Sequence, residues 1–247
     1  MVKLEDYLFT PDYGKSEYEK EEEELQERLY ILSNEANKRS VPIIIILEGW
    51  AGSGKGDLLK TVVKRLDPRK THIFSFLQEI YTPGNFPFMW KYWRKLPPKG
   101  ELTVFDGSWY SGITFRRKEK LIDKKEYKNS IRTITNFETM LKDDNYLIFK
   151  FFLNIPYEEQ RKTLLRAHKK GKTWAITEND WKQSKHYKTY KKLFETYIEE
   201  TDLPGIPWTI VPAGKSSYTK KFVMETIIHR LEKNFEVDSK KILDMLE

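Results

Sequence analysis

Gly49, Gly54 and Lys55 stand at the spacing Gly-x-x-x-x-Gly-Lys within EGWAGSGKGD (48–57), directly after the aliphatic run Ile43 to Leu47. An apolar strand that feeds such a loop and then a helix is the context of a phosphate-binding loop. Glycines let backbone N–H groups turn inward, the helix N-terminus adds partial positive charge, and the lysine reaches phosphoryl oxygens. Gly49, Gly52, Ser53, Gly54, Lys55 and Gly56 are therefore the expected phosphate contacts. The plain alternative, a glycine turn with an incidental lysine, does not account for the strand before it and the helix after it. A dinucleotide loop fits worse, because no Gly-x-Gly-x-x-Gly can be laid over these glycines.

Gly56 occupies the place where Ser or Thr normally offers magnesium an oxygen, so another residue must hold the ion. Asp106 closes the apolar run LTVF (102–105). Parallel strand ends gather at one edge of a sheet, which predicts Asp106 near Lys55 as the Mg²⁺ ligand. Its alternative role is a turn or helix cap ahead of Ser108. Glu48 and Asp57 flank the loop, and Asp57 reads as compensation of the first helical turn.

Two further sets of cations could meet a polyanion. Arg94 lies among Trp90, Tyr92 and Trp93. Aromatics at that spacing read first as core, with a guanidinium offered to a base or phosphate as the second reading. Between Gln160 and Lys192 there are eleven Lys and Arg against two acids, whereas the whole chain carries a net +7. Arg161, Arg166, Lys169, Lys170 and Lys172 sit there, where a phosphoryl-transfer lid would bring cations to migrating charge. A solvated basic helix is the alternative.

These residues need a sheet to position them. The 247 residues, 39% hydrophobic, suffice for one large core, and short apolar runs alternate with helical patterns, which predicts an α/β fold. Strands are expected at 42–47, 71–76, 101–106, 145–155 and 207–213. Helices are expected at 15–38, 55–66, 85–100 (rich in aromatics), 124–144, through a basic stretch opened by Pro156, and at 218–234. The division is an N-terminal helical arm (1–40), whose acidic half reads as a solvated face or oligomer arm, a domain (41–234) with a basic lid at about 156–192, and a loose or partner-bound tail (235–247). The chain has no cysteine and four scattered histidines, which excludes disulfides and disfavours zinc. No membrane span or signal-peptide core is evident, so a cytoplasmic location is the expectation.

In order, EGWAGSGKG, LDPR, MWKYWRKLPPKGE, FDGSWY, FETMLKDD, LIFKFFLNIPYEEQRKTLLR, WAITENDWKQSKHY and PWTIVPA resemble the polyphosphate kinase 2 family, from about Pro42 to Asn234. The resemblance implies a thymidylate-kinase-like P-loop fold: a three-layer α/β sandwich with five parallel strands, order 2-3-1-4-5, and a helical lid. It implies Mg²⁺-dependent phosphotransfer between inorganic polyphosphate and a nucleoside mono- or diphosphate, in a homo-oligomer. Lys55, Asp106, Arg94, Arg161 and Arg166 would serve catalysis. The family's loop has Asp where this chain has Ala51. Its next motif has Arg at Gly107 and Asn at Ser111, and its lid has a basic residue near Trp174, where this chain has Ala175. These departures resemble the degenerate N-terminal copy of two-copy polyphosphate:AMP phosphotransferases and imply reduced activity. Two alternatives remain open: a polyphosphate- or nucleotide-binding subunit with an assembly or regulatory role, and an ATP-dependent nucleoside monophosphate kinase. Nucleic acid is the weakest candidate ligand, since no base-reading motif is present.

Overall fold

The computed structural model describes residues 2–11, 13–76, 86–171 and 176–246. Five strands form one parallel sheet: β1 (Ile43–Gly49), β2 (Thr71–Ser75), β3 (Leu102–Asp106), β4 (Leu147–Asn154) and β5 (Trp208–Pro212), in the expected order β2-β3-β1-β4-β5. The aliphatic run of β1 is continuous because both faces are covered, as parallel sheets require. Ile44 and Ile46 join the core formed with α4 (Trp109–Lys118), α5 (Lys124–Asp143) and α8 (Tyr187–Glu200). Ile43, Ile45 and Leu47 face α1 (Lys15–Lys38), α2 (Lys55–Val63) and α9 (Ser216–Phe235). Lys150 is the charged exception inside β4. It is buried, and Nζ donates to Glu138 Oε2 at 2.9 Å and to the Thr201 carbonyl at 2.6 Å.

Several elements differ from the sequence expectation. The aromatic segment contains a single turn, α3 (Trp90–Trp93). Pro97 and Pro98 stop it, because a residue preceding proline is pushed out of helical geometry. Asn85 lies outside the described residues. The helix α4 was not anticipated. Ser108 caps it by accepting from the Tyr110 amide at 3.2 Å, but Gly107 and Gly112 hide its periodicity. Gly112 is there for close approach, since a Cβ would lie 2.8 Å from the Tyr92 hydroxyl. The basic stretch divides into α6 (Tyr157–Lys169), α7 (Glu178–Lys185) and α8. The C-terminal segment is not loose throughout: α10 (Ser239–Asp244) buries Ser239, whose hydroxyl is bonded to Glu232 and Arg28.

The acidic half of α1 is neither bare nor held away from the domain. Leu25, Leu29 and Leu32 dock into the α9 side of the core. That docking brings Glu21 to Lys221 at 2.6 Å, Glu22 to Lys64 at 3.2 Å, and Glu23 and Glu27 to Arg65. Among the described residues no helix is long and apolar enough to cross a membrane.

Candidate active site

β1 sets the height of the site. Leu47 is in register with Asp106 on β3, and Gly49 with Leu153 on β4. The loop therefore rises from the carboxyl edge of the sheet with Asp106 beside its base. Gly49 has φ +136°, and a Cβ there would lie 2.3 Å from the Leu153 carbonyl, so no other residue fits. Gly52 and Gly54 also hold left-handed angles, +75° and +89°, which glycine adopts without steric cost. Gly56 is different. It lies in the first turn of α2, and a Cβ would meet nothing within 4 Å. The missing Ser or Thr hydroxyl is not excluded by packing.

Lys55 follows directly and begins α2. Its Nζ donates to the Trp50 carbonyl at 3.0 Å and the Gly49 carbonyl at 3.3 Å, which holds the ammonium over the loop. Trp50 anchors the loop from below. It is buried and stacks on Tyr187 at 3.9 Å, and its indole N–H donates to Asn154 Oδ1 at 2.9 Å. Asn154 Nδ2 in turn donates to the Leu4 and Tyr7 carbonyls at 2.7 and 3.1 Å. The N-terminal segment is thus tied to the loop through the end of β4.

The three carboxylates near the loop have different surroundings. Glu48 is buried and fully engaged: Oε1 accepts from the Ser108 amide, Ser108 hydroxyl and Ser111 amide at 2.8, 2.7 and 3.1 Å, and Oε2 from the Ser111 hydroxyl at 2.5 Å. Burial raises its pKa, against the pull of Ser111, Ser108 and Lys55. Asp57 is committed elsewhere, to Lys220 at 2.8 Å and Ser216 at 3.0 Å. Among the described residues, Asp106 Oδ1 is buried with no hydrogen-bond partner, and Oδ2 meets only the Ser75 hydroxyl at 3.5 Å. Burial raises its pKa too, and Lys55 opposes the rise.

An orphaned, buried carboxylate oxygen is costly unless a cation or donor meets it. Asp106 Oδ1 therefore fits a magnesium ion as one ligand. Among the described residues no group of three or more His, Cys, Asp or Glu converges. A hard ion that keeps several waters needs no more than one or two carboxylates.

The basic residues form a separate surface. Gln160 and Thr163 turn the inner face of α6 toward the loop, so that a Cβ on Gly52 would lie 3.4 Å from Thr163 and 3.7 Å from the Gln160 carbonyl. Arg161, Arg166, Lys169 and Lys170 line the outer face, around an open cavity of about 580 Å³ shared with Glu158, Lys162 and Leu165. Among the described residues none of these four has an acidic partner, whereas Lys162 pairs with Glu159. Arg94 lies over Trp90, its guanidinium 4.7 Å from the centre of the ring. Lys172, Trp174 and Ala175 lie outside the described residues.

Sequence reasoning did not single out Asn154, Ser108 or Gln183. Ser108 and Ser111, at i and i+3 across a helix start, carried a faint signal. Gln183 carried none, because a glutamine on a polar helix looks solvated.

The polyphosphate kinase 2 (PPK2) family profile matches residues 12–240. The polyphosphate:AMP phosphotransferase of Pseudomonas aeruginosa is 32% identical over 221 residues, covering 88% of this chain and 44% of that protein. Its counterpart from Pseudomonas syringae pv. tomato is 29% identical over 229 residues, covering 92% and 46%. The chain thus spans about half the length of these curated relatives. A polyphosphate kinase 2 crystal structure from Arthrobacter aurescens TC1 superposes with a TM-score of 0.85 at 24% identity, over 96% of this chain and 85% of that one.

Proposed function

The chain belongs to the polyphosphate kinase 2 family, and on that premise we propose that it transfers phosphoryl groups between inorganic polyphosphate and a nucleoside mono- or diphosphate. The observation that carries this reading is the pairing, at one sheet edge, of a phosphate-loop lysine with a carboxylate that has an uncommitted oxygen. Loop amides and Lys55 hold phosphate oxygens. A nucleotide phosphate oxygen attacks the terminal phosphorus of the polyphosphate, and the bond to the next phosphate breaks, which shortens the chain by one unit. No protein nucleophile is needed, because positioning and charge stabilisation carry the reaction. Mg²⁺ bound at Asp106, with water and substrate oxygens, would supply charge neutralisation. Arg161, Arg166, Lys169, Lys170 and Lys172 form the track for the rest of the polyanion, and Arg94 is a further cation for the migrating charge. The relatives' names make AMP the first acceptor to test.

Turnover is reduced relative to a site with an acid at position 51, since Ala51 and Gly56 offer magnesium no side-chain oxygen and Glu48 is already engaged. The same features favour a second reading, a polyphosphate-binding subunit without turnover. Incubation of the purified protein with polyphosphate, Mg²⁺ and AMP, ADP or guanine nucleotides decides between them. New di- or triphosphates support transfer. Polyphosphate binding without product supports the second reading, and the absence of both refutes each.

A further inference from the structure

A side chain from a distant helix occupies one amide of the phosphate loop. Gln183, on α7, accepts the Ala51 N–H through Oε1 at 2.6 Å. The same oxygen accepts Gln160 Nε2 from α6 at 2.9 Å. Gln160 is fully buried and Ala51 is 6% exposed, while Gln183 itself is half-buried, so this junction is partly screened from bulk water. Ala51 carries only a methyl group, which leaves its amide open to a side chain from above. α7 is itself well fixed: Thr177 and Asp180 cap its start reciprocally, Ser184 is buried, and Trp181 meets the His168 ring of α6 edge-on.

A phosphate loop works because its N–H groups are free for anionic oxygens. A neutral amide oxygen now takes one of them. We propose that Gln183 and a phosphoryl oxygen compete for the Ala51 N–H, so that the Gln183 side chain is a latch on the loop that phosphate displaces. This rests on the loop being the phosphate site, as argued above. The competition is uneven but winnable by the ligand, since a hydrogen bond to an anion is roughly twice as strong as one to a neutral acceptor. The latch therefore lowers affinity without abolishing it. Removing the acceptor should tighten phosphate binding by about two- to tenfold, the net worth of one neutral hydrogen bond.

The test uses the whole chain, inorganic tripolyphosphate as the probe, and the variants Gln183→Leu and Gln183→Glu. Calorimetry should show tighter binding by Gln183→Leu and weaker binding by Gln183→Glu, which keeps the acceptor and adds a repelling charge. Hydrogen exchange at the Ala51 amide gives an independent readout. It should be slow in the parent protein and faster in Gln183→Leu. If tripolyphosphate binds the parent and Gln183→Leu equally, or the leucine variant more weakly, the latch is overturned and the loop remains the phosphate site. If neither protein binds, the proposal falls together with the functional reading on which it rests. An Ala51 amide that exchanges equally fast in both proteins also overturns it.

Discussion

Ser111 donates its hydroxyl to Glu48 Oε2 at 2.5 Å and its amide to Glu48 Oε1 at 3.1 Å. Ser111 is thus a clamp on the loop's flanking acid. It also explains why Glu48 cannot stand in as a metal ligand without losing partners.

Ser111→Ala leaves Glu48 Oε2 without that donor. Burial already places the Glu48 pKa above its ordinary value, and the serines and Lys55 restrain the rise. A folded-state pKa above the unfolded one gives stability that is complete below the unfolded value and lost as pH rises through the folded value. Loss of the hydroxyl moves the folded value higher still. The penalty should be smallest in acid, where Glu48 is protonated in both states, and grow towards neutrality to about 1–3 kcal/mol. Urea melts at acidic and neutral pH check this, and a pH-independent penalty contradicts it.

Asp106→Asn should lower phosphotransfer by about a hundredfold or more, because charge stabilisation by a bound metal is worth several kcal/mol. Proton and Mg²⁺ compete for the same carboxylate. Since burial raises the Asp106 pKa, Mg²⁺ affinity should begin to fall at a higher pH than for an ordinary aspartate. Lys55 opposes that rise, so Lys55→Ala should move the fall to still higher pH. Mg²⁺ titrations across pH on the two proteins read the shift directly.

Gly56 and Gly107 should respond in opposite ways to a side chain. Gly56 sits in open space, so Gly56→Ser should leave the fold intact and tighten Mg²⁺ in the presence of phosphate. Gly107 has φ +72°, so Gly107→Ala and Gly107→Arg should each cost about 1–2 kcal/mol of stability before any gain at the site. Guanidinium melts of the three variants separate backbone cost from chemistry. Ala51→Asp supplies the absent carboxylate and should raise phosphotransfer by about tenfold to a thousandfold.

The outer face of α6 should bind polyphosphate in a salt-dependent way whatever the rate of turnover. Each neutralised phosphate releases counterions. Changing Lys169, Lys170 and Lys172 together to Ala should reduce the slope of log affinity against log salt by about 0.7–0.9 for each phosphate that is no longer neutralised. An unchanged slope would place the polyanion elsewhere.

The sequence by itself determined the strands, the loop and the carboxylate at the end of β3. Each of these is written in contiguous residues: an aliphatic run, three left-handed glycines, a helix start, an apolar run closed by Asp. Backbone sterics and hydrophobic periodicity act over a few residues, so such features survive reading in one dimension. The partners of polar side chains do not. Glu48 is held by residues 60 and 63 positions away, and Gln183 reaches Ala51 across 132. Those pairings depend on where two elements come to rest. Only the packed fold decided that Glu48 is occupied while Asp106, among the described residues, keeps a free oxygen. It also decided that α6 turns Gln160 and Thr163, and not its arginines, toward the loop. The aromatic run around Trp90 marks the same boundary, because Pro97 and Pro98 and tertiary ring packing overruled its helical look.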